Sequence, residues 1–207
     1  MINLCYTIGY DKRELKDFSE ILKEYGINCV VDIRAMRNDI SGVYNGDNIK
    51  NFLNKLGIYY IPMGKEFDLR NYEFDGNDFE KVRSNEKFIN GILRIENGIR
   101  KGFKIVVMGI EKEPICCNRG VIIAYVLKNR GIRLEHIINK ESLKNQSDVE
   151  EELLKLYGVK LIKKKVAELS IKSIKNNVDL DMDERDFKNE MVEEAYRVRN
   201  AELNKNI

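Results

Sequence analysis

Three short stretches of this chain carry residues able to do chemistry. Thr7-Ile8-Gly9-Tyr10 closes an apolar run near the N-terminus, and Asp32-Ile33-Arg34 closes a second. Gly109-Ile110-Glu111-Lys112-Glu113-Pro114-Ile115-Cys116-Cys117-Asn118-Arg119 leads from a third run into a helical pattern. An arginine opening a helix, here Arg119, meets free backbone N–H groups and the positive end of the helix dipole. Together these favour an anion, which a guanidinium grips through two donors. Cys117, in the same place, is a candidate nucleophile. The plainer reading makes Cys116 and Cys117 small packing residues and Arg119 half of a surface ion pair. Asp32 ends a buried run, where a carboxylate needs either a partner or a task. Arg34 could be that partner. Asp32 and Glu111 are therefore the candidate acid/base groups. Gly9, Tyr10, Arg34, Lys112, Asn118 and Arg119 are the candidate ligand contacts, with Gly9 allowing close approach of a backbone.

Several familiar chemistries are absent. No GxGxxG follows the first run and no Walker GxxxxGK[ST] exists, so neither a dinucleotide nor a P-loop site is expected. Neither Cys116 nor Cys117 is followed by an arginine at the spacing of a tyrosine-phosphatase loop. The 4 cysteines (Cys5, Cys29, Cys116, Cys117) contain no CxxC pair, and His136 is the single histidine. No metal site and no disulfide framework is expected, and whether a cofactor is used is not legible from the sequence. His136 lies inside an apolar run, where a satisfied core or rim histidine is expected rather than a base.

Composition sets the setting. Among 207 residues, 36 Lys and Arg face 34 Asp and Glu, a net charge of +2 that gives no global pull toward nucleic acid. With 43% hydrophobic residues the chain can build a sizeable core. No apolar run reaches the roughly 18 residues of a membrane span. The opening MINLCYTIGY lacks the basic and apolar regions of a secretory leader, so a cytoplasmic protein with reduced thiols is expected. The expected partner is a small anionic ligand or nucleotide. Nucleic acid is a weaker candidate, a membrane is not expected, and the oligomeric state is not legible.

The elements that must position these residues follow one pattern. An amphipathic helix ends in Gly, and a Val/Ile-rich run follows. This occurs at Gly26 before 27–33, Gly57 before 58–61, Gly102 before 103–108 and Gly131 before 132–138, and more weakly at Gly158 before 159–162. Residues 3–8 form an opening strand. Leu15, Phe18, Ile21, Leu22 and Tyr25 make one helical stripe behind a capping box of Asp11 and Glu14. Asp47 caps a second helix, and Ser147 with Glu150 forms a capping box for a later one. Alternating strands and helices predict an α/β fold, a doubly wound and mostly parallel sheet of five or six strands with helices on both faces. The expected strand order is 3-2-1-4-5, with the first and fourth strands adjacent. Ligands of such sheets bind beyond the carboxyl ends of the strands, where the three stretches converge. Residues 63–77, with Phe67, Arg70, Tyr72 and Phe74, are either a lid or a packed loop. The expected division is an α/β domain over residues 1–160 and a charged, largely helical extension over 161–207. That extension holds a basic run at 163–165, an acidic stretch around 179–186 and an amphipathic helix from about Glu184 to Leu203, either docked or serving a partner or nucleic acid.

Taken together, the three stretches resemble the domain-of-unknown-function family 488 (DUF488). Its pattern has a Thr-Ile-Gly-His/Tyr strand end, an Asp-Val/Ile-Arg and a Glu-Lys-x-Pro-x-x-Cys-His-Arg-like loop entering a helix. The resemblance covers roughly residues 3–155 and implies a compact α/β domain with a polar cleft built from these motifs. It brings no settled activity. Asn118 stands where the family usually has His, which removes the nearest general base from Cys117. Gly109 replaces a frequent Cys, and 35–38 lacks the usual Pro and Ser-Arg pair.

Overall fold

A computed structural model of the chain describes residues 3–35, 42–72, 76, 78–176 and 183–205. Gly26, Gly57, Gly102 and Gly131 all carry positive φ, between 60° and 87°, which closes the helix before each and turns the chain into the next strand. The described strands are β1 (Leu4–Gly9), β2 (Cys29–Asp32), β3 (Tyr59–Pro62), β4 (Ile105–Gly109), β5 (Arg133–Asn139) and β6 (Ser142–Asn145). The helices are α1 (Leu15–Glu24), α2 (Gly46–Lys55), α3 (Gly64–Phe67), α4 (Phe79–Ser84), α5 (Glu86–Arg100), α6 (Ala124–Asn129), α7 (Gln146–Asn176) and α8 (Glu184–Leu203). A π-helical turn, Arg119–Ile123, runs directly into α6.

The sheet order is β3-β2-β4-β1-β5-β6, parallel except for the antiparallel β5–β6 hairpin. The α/β class and the β1–β4 adjacency hold, but the expected 3-2-1-4-5 does not. β4 lies between β2 and β1, pairing with both. β1 and β4 are both buried along nearly their whole length, so burial, which apolar sequence reports, is the same for either order. β6 was not expected. It is an edge strand with alternating half-exposed residues and no apolar run.

Strand alternation divides the core. Tyr6, Ile8, Val30, Val106 and Met108 pack against α1 and α2. Cys5, Val31, Ile105 and Val107 pack against α5 to α8 on the other face.

Four local expectations need correcting. Asp11 and Glu14 do not form a capping box: Tyr10 and Asp11 donate their backbone N–H groups to Gly109 and Ile110. That prolongs the pairing past β1 and delays helix α1 to Leu15, with Glu14 at the N-cap. Asn45, not Asp47, caps α2, its side chain accepting from the Asp47 N–H. The α7 start is closed by Asn145 and Asp148, each side chain accepting the other's backbone N–H, while Ser147 lies inside the first turn. Residues 159–162 are helix rather than strand. Gly158 has ordinary helical backbone, and Val149, Leu153 and Leu161 bury one face of α7.

Residue 160, where a domain division was expected, lies inside α7. The amphipathic helix expected near the C-terminus is α8, and it is docked: Met191, Ala195 and Tyr196 are buried in the core. Phe67, Leu69 and Tyr72 are buried as well, so the described part of 63–77 is packed. Phe74, the segment 36–38, residues 179–182 and the side chains of Lys164 and Lys165 lie outside the described residues.

Candidate functional site

The ends of β2, β4 and β1 are neighbours, so the three motif stretches meet on one rim. They form two clusters, one on each face of the sheet.

On the α1–α2 face, Asp32 and Arg34 close on each other. Asp32 is 0% exposed and Arg34 5%. The Arg34 Nε and Nη2 donate to the two carboxylate oxygens at 2.8 and 2.7 Å, and Nη1 donates to the Tyr44 carbonyl at 2.9 Å. The Arg34 backbone N–H and the Tyr60 hydroxyl also donate to Asp32. Hydrogen bonding to Asp32 raises the Arg34 pKa against the opposing effect of burial. The guanidinium lies 4.8 Å from the centre of the Tyr10 ring, which stacks on Tyr44 at 4.3 Å. Most of the Arg34 donors are thus committed inside the protein. The Tyr44 hydroxyl is buried and has no hydrogen-bond partner.

On the other face stands Arg119, 1% exposed. Its Nη1 donates to the Thr7 hydroxyl at 3.2 Å and its Nη2 to the Glu111 carbonyl at 2.8 Å. Its Nε is buried without a partner. No carboxylate pairs with it among the described residues. Gly9 makes this arrangement possible: a Cβ there would lie 1.9 Å from the Glu111 carbonyl oxygen. Gly9 therefore gives room to a backbone that orients Arg119. The Glu111 and Lys112 side chains are exposed.

Behind Arg119 runs a buried polar chain. The Thr7 hydroxyl meets His136 Nδ1 at 2.7 Å, and His136 Nε2 meets Gln146 Oε1 at 2.7 Å. The Gln146 amide donates to the Gly120 carbonyl and the Tyr196 hydroxyl, which fixes its oxygen toward His136. His136 then carries its proton on Nε2, and Thr7 donates to Nδ1 while accepting from Arg119. Burial and the Arg119 charge push the His136 pKa down to about 3, so the imidazole is neutral. It is the satisfied core histidine expected from its position.

Cys117 is buried, and its thiol faces the Pro114 and Glu113 carbonyls at 3.4 and 3.7 Å. Asn118 exchanges reciprocal amide hydrogen bonds with Asn204, just past α8, at 2.9 and 3.2 Å. The rim also holds Arg13, whose Nε donates to the Gly9 carbonyl at 2.7 Å and whose Nη2 donates to the Ile138 carbonyl. No carboxylate pairs with Arg13 among the described residues. Arg13 was not singled out from the sequence, although it stands in the basic-acidic turn directly after the first motif. Gln146, Tyr196 and Asn204 join the site only through long-range folding and carry no local signal. No group of three or more potential metal ligands occurs among the described residues.

A family model described as domain of unknown function DUF488 matches residues 14–126. The chain belongs to the DUF488 family. The matched span of this DUF488 protein includes Asp32–Arg34 and the whole loop from Glu111 to Arg119. It begins after Thr7–Tyr10 and ends before α7 and α8. No curated protein and no solved structure matches the chain. No described helix is long and apolar enough to cross a membrane.

Proposed function

We propose that this DUF488 protein binds an anionic, phosphate-bearing or nucleotide-type ligand at the carboxyl rim of its sheet, and binds it without cysteine chemistry. One observation carries the reading. Arg119 is a guanidinium 1% exposed that has a free Nε donor and no carboxylate partner among the described residues. A buried charge costs several kcal/mol unless an opposite charge or a full set of hydrogen bonds offsets it. Two acceptors, one hydroxyl and one carbonyl, do not complete that set. An anion at the rim would.

Binding is favoured over turnover by the contacts of three side chains. A nucleophilic Cys117 would direct its sulfur at substrate, yet it points at two carbonyl oxygens. Asn118 is held by Asn204 and is no base. Asp32, for its part, is spent on Arg34 and Tyr60.

The test is a thermal-shift screen of the wild type and Arg119→Ala against phosphate, nucleotides, sugar phosphates and short oligonucleotides. A ligand that binds only the folded state raises Tm by mass action. The expected result is a shift in the wild type that the variant loses. A ligand that shifts both proteins equally would place its site elsewhere. No shift with any anion would leave the rim a purely structural set of polar contacts.

A further inference from the structure

Among the described residues, Arg119 and Arg13 both stand at the end of β1 without a carboxylate partner. Arg13 reaches the same strand end from the opposite chain direction. It bonds the Gly9 carbonyl, while Arg119 bonds the Thr7 hydroxyl two residues earlier. Both guanidiniums spend their bonds on neutral acceptors: Gly9 and Ile138 carbonyls for Arg13, the Thr7 hydroxyl and Glu111 carbonyl for Arg119. The two charges feel each other. Burial and the Arg119 charge both lower the Arg13 pKa. Tyr44, with its orphan buried hydroxyl, is also within the field of Arg13. Asp17, whose charge acts on Arg13, is exposed on α1 and makes no described ion pair with it. Glu111, Lys112 and Lys12 point into solvent. Lys144, on the far side of His136, is tied to Glu113 and Glu152.

Two like charges at one strand end repel unless something answers both. We infer that the ligand of this rim is a dianion, a terminal phosphate monoester, held between Arg13 and Arg119. This rests on the anion-binding reading above and narrows it. A phosphodiester inside a nucleic-acid strand carries one charge and a sugar on each side. A monoester end carries close to two charges at neutral pH and three free oxygens.

The test is calorimetric titration of the wild-type protein at constant ionic strength, with four probes: a nucleoside 5′-monophosphate, inorganic phosphate, sulfate and dimethyl phosphate. Titrations run at about pH 5.5 and about pH 7.5, either side of the monoester's second pKa of about 6. The buried His136 stays neutral across this window, its pKa being about 3, so the pH response reports the ligand. The expected result is an affinity for the monoester that rises about four-fold with pH, matching its dianion fraction. Sulfate, a dianion throughout, should bind with no pH dependence. Dimethyl phosphate should bind about ten-fold more weakly. In Arg13→Gln, a change at a part-exposed side chain, monoester affinity should fall and the preference over dimethyl phosphate should vanish. Equal, pH-independent binding of monoester and dimethyl phosphate would overturn the dianion inference while leaving the anion site standing. Preference retained in Arg13→Gln would overturn the role of Arg13. Binding of none of the four would remove both readings.

Discussion

Arg119 and His136 meet on opposite sides of one hydroxyl, that of Thr7, at 3.2 and 2.7 Å. The cross-strand pairing of Thr7 with His136 on β1 and β5 puts the imidazole there. A neutral histidine accepts the hydrogen bond of the Thr7 hydroxyl and leaves the oxygen lone pairs for Arg119. A protonated one would set two cations on a single hydroxyl. The arrangement therefore ties the orientation of Arg119 to the charge state of His136.

That tie has a pH signature. His136 protonates near 6.5 in the unfolded chain and near 3 when folded. Between those values the unfolded state binds more protons, so stability is full above about pH 6.5 and falls as pH drops toward 3. The contribution of this one group is of order 5 kcal/mol over the window. Urea unfolding of the wild type and His136→Gln across this range should show the wild type losing more stability on acidification. Parallel pH profiles would mean that the imidazole titrates normally when folded.

Two glycine substitutions should have opposite signs. Gly9→Ala puts a methyl group 1.9 Å from the Glu111 carbonyl oxygen and must displace the backbone that orients Arg119. It should cost about 1–3 kcal/mol or more and weaken anion binding. Gly158→Ala meets no atom within 4 Å on the α7 helix and should stabilise by about 0.5–1 kcal/mol. Denaturant midpoints test both; a neutral Gly9→Ala would contradict the close approach.

The Asp32–Arg34 pair is a buried ion pair, with side chains 0% and 2% exposed. Arg34→Ala should strand the carboxylate and cost about 3–5 kcal/mol. Asp32→Asn together with Arg34→Gln should cost clearly less than the two single changes summed. Additive losses in that double-mutant cycle would show that the two side chains act independently.

Thiol reactivity separates the cysteines. Cys116 is exposed, while Cys5, Cys29 and Cys117 are buried. Burial raises the Cys5 and Cys29 thiols to about 12 and about 11. Under native conditions one thiol should react rapidly with a disulfide reagent, and Cys116→Ser should abolish that phase. Cys117→Ser should bind anions as the wild type does. Rapid labelling of Cys117 would mean its sulfur is open to the rim.

Much of this was legible in the sequence, for reasons that can be named. Gly after an amphipathic stripe marks a left-handed helix end, and four such positions set four strand starts. Gly158 misled because a glycine in open space is tolerated inside a helix, and only the burial of Leu153 and Leu161 shows that the chain does not turn there. The places of β1 and β4 were not legible because both strands are buried on both faces. The Asp32–Arg34 pair was readable from two residues in one stretch. The chain from Thr7 through His136 and Gln146 to Tyr196 was not, since its members lie up to 189 positions apart and meet only in the folded protein. Arg13 was hidden by a capping reading that assigned its turn to the helix.

The most direct measurement is on the orphan donor itself. In a proton–nitrogen correlation spectrum, the Arg119 Nε–H signal can be assigned by its loss in Arg119→Lys. Phosphate titrated at constant ionic strength should move that signal downfield and saturate, as the Nε–H gains an acceptor. A signal that stays in place at saturating phosphate, or that moves no further than with chloride, would contradict an anion site at Arg119.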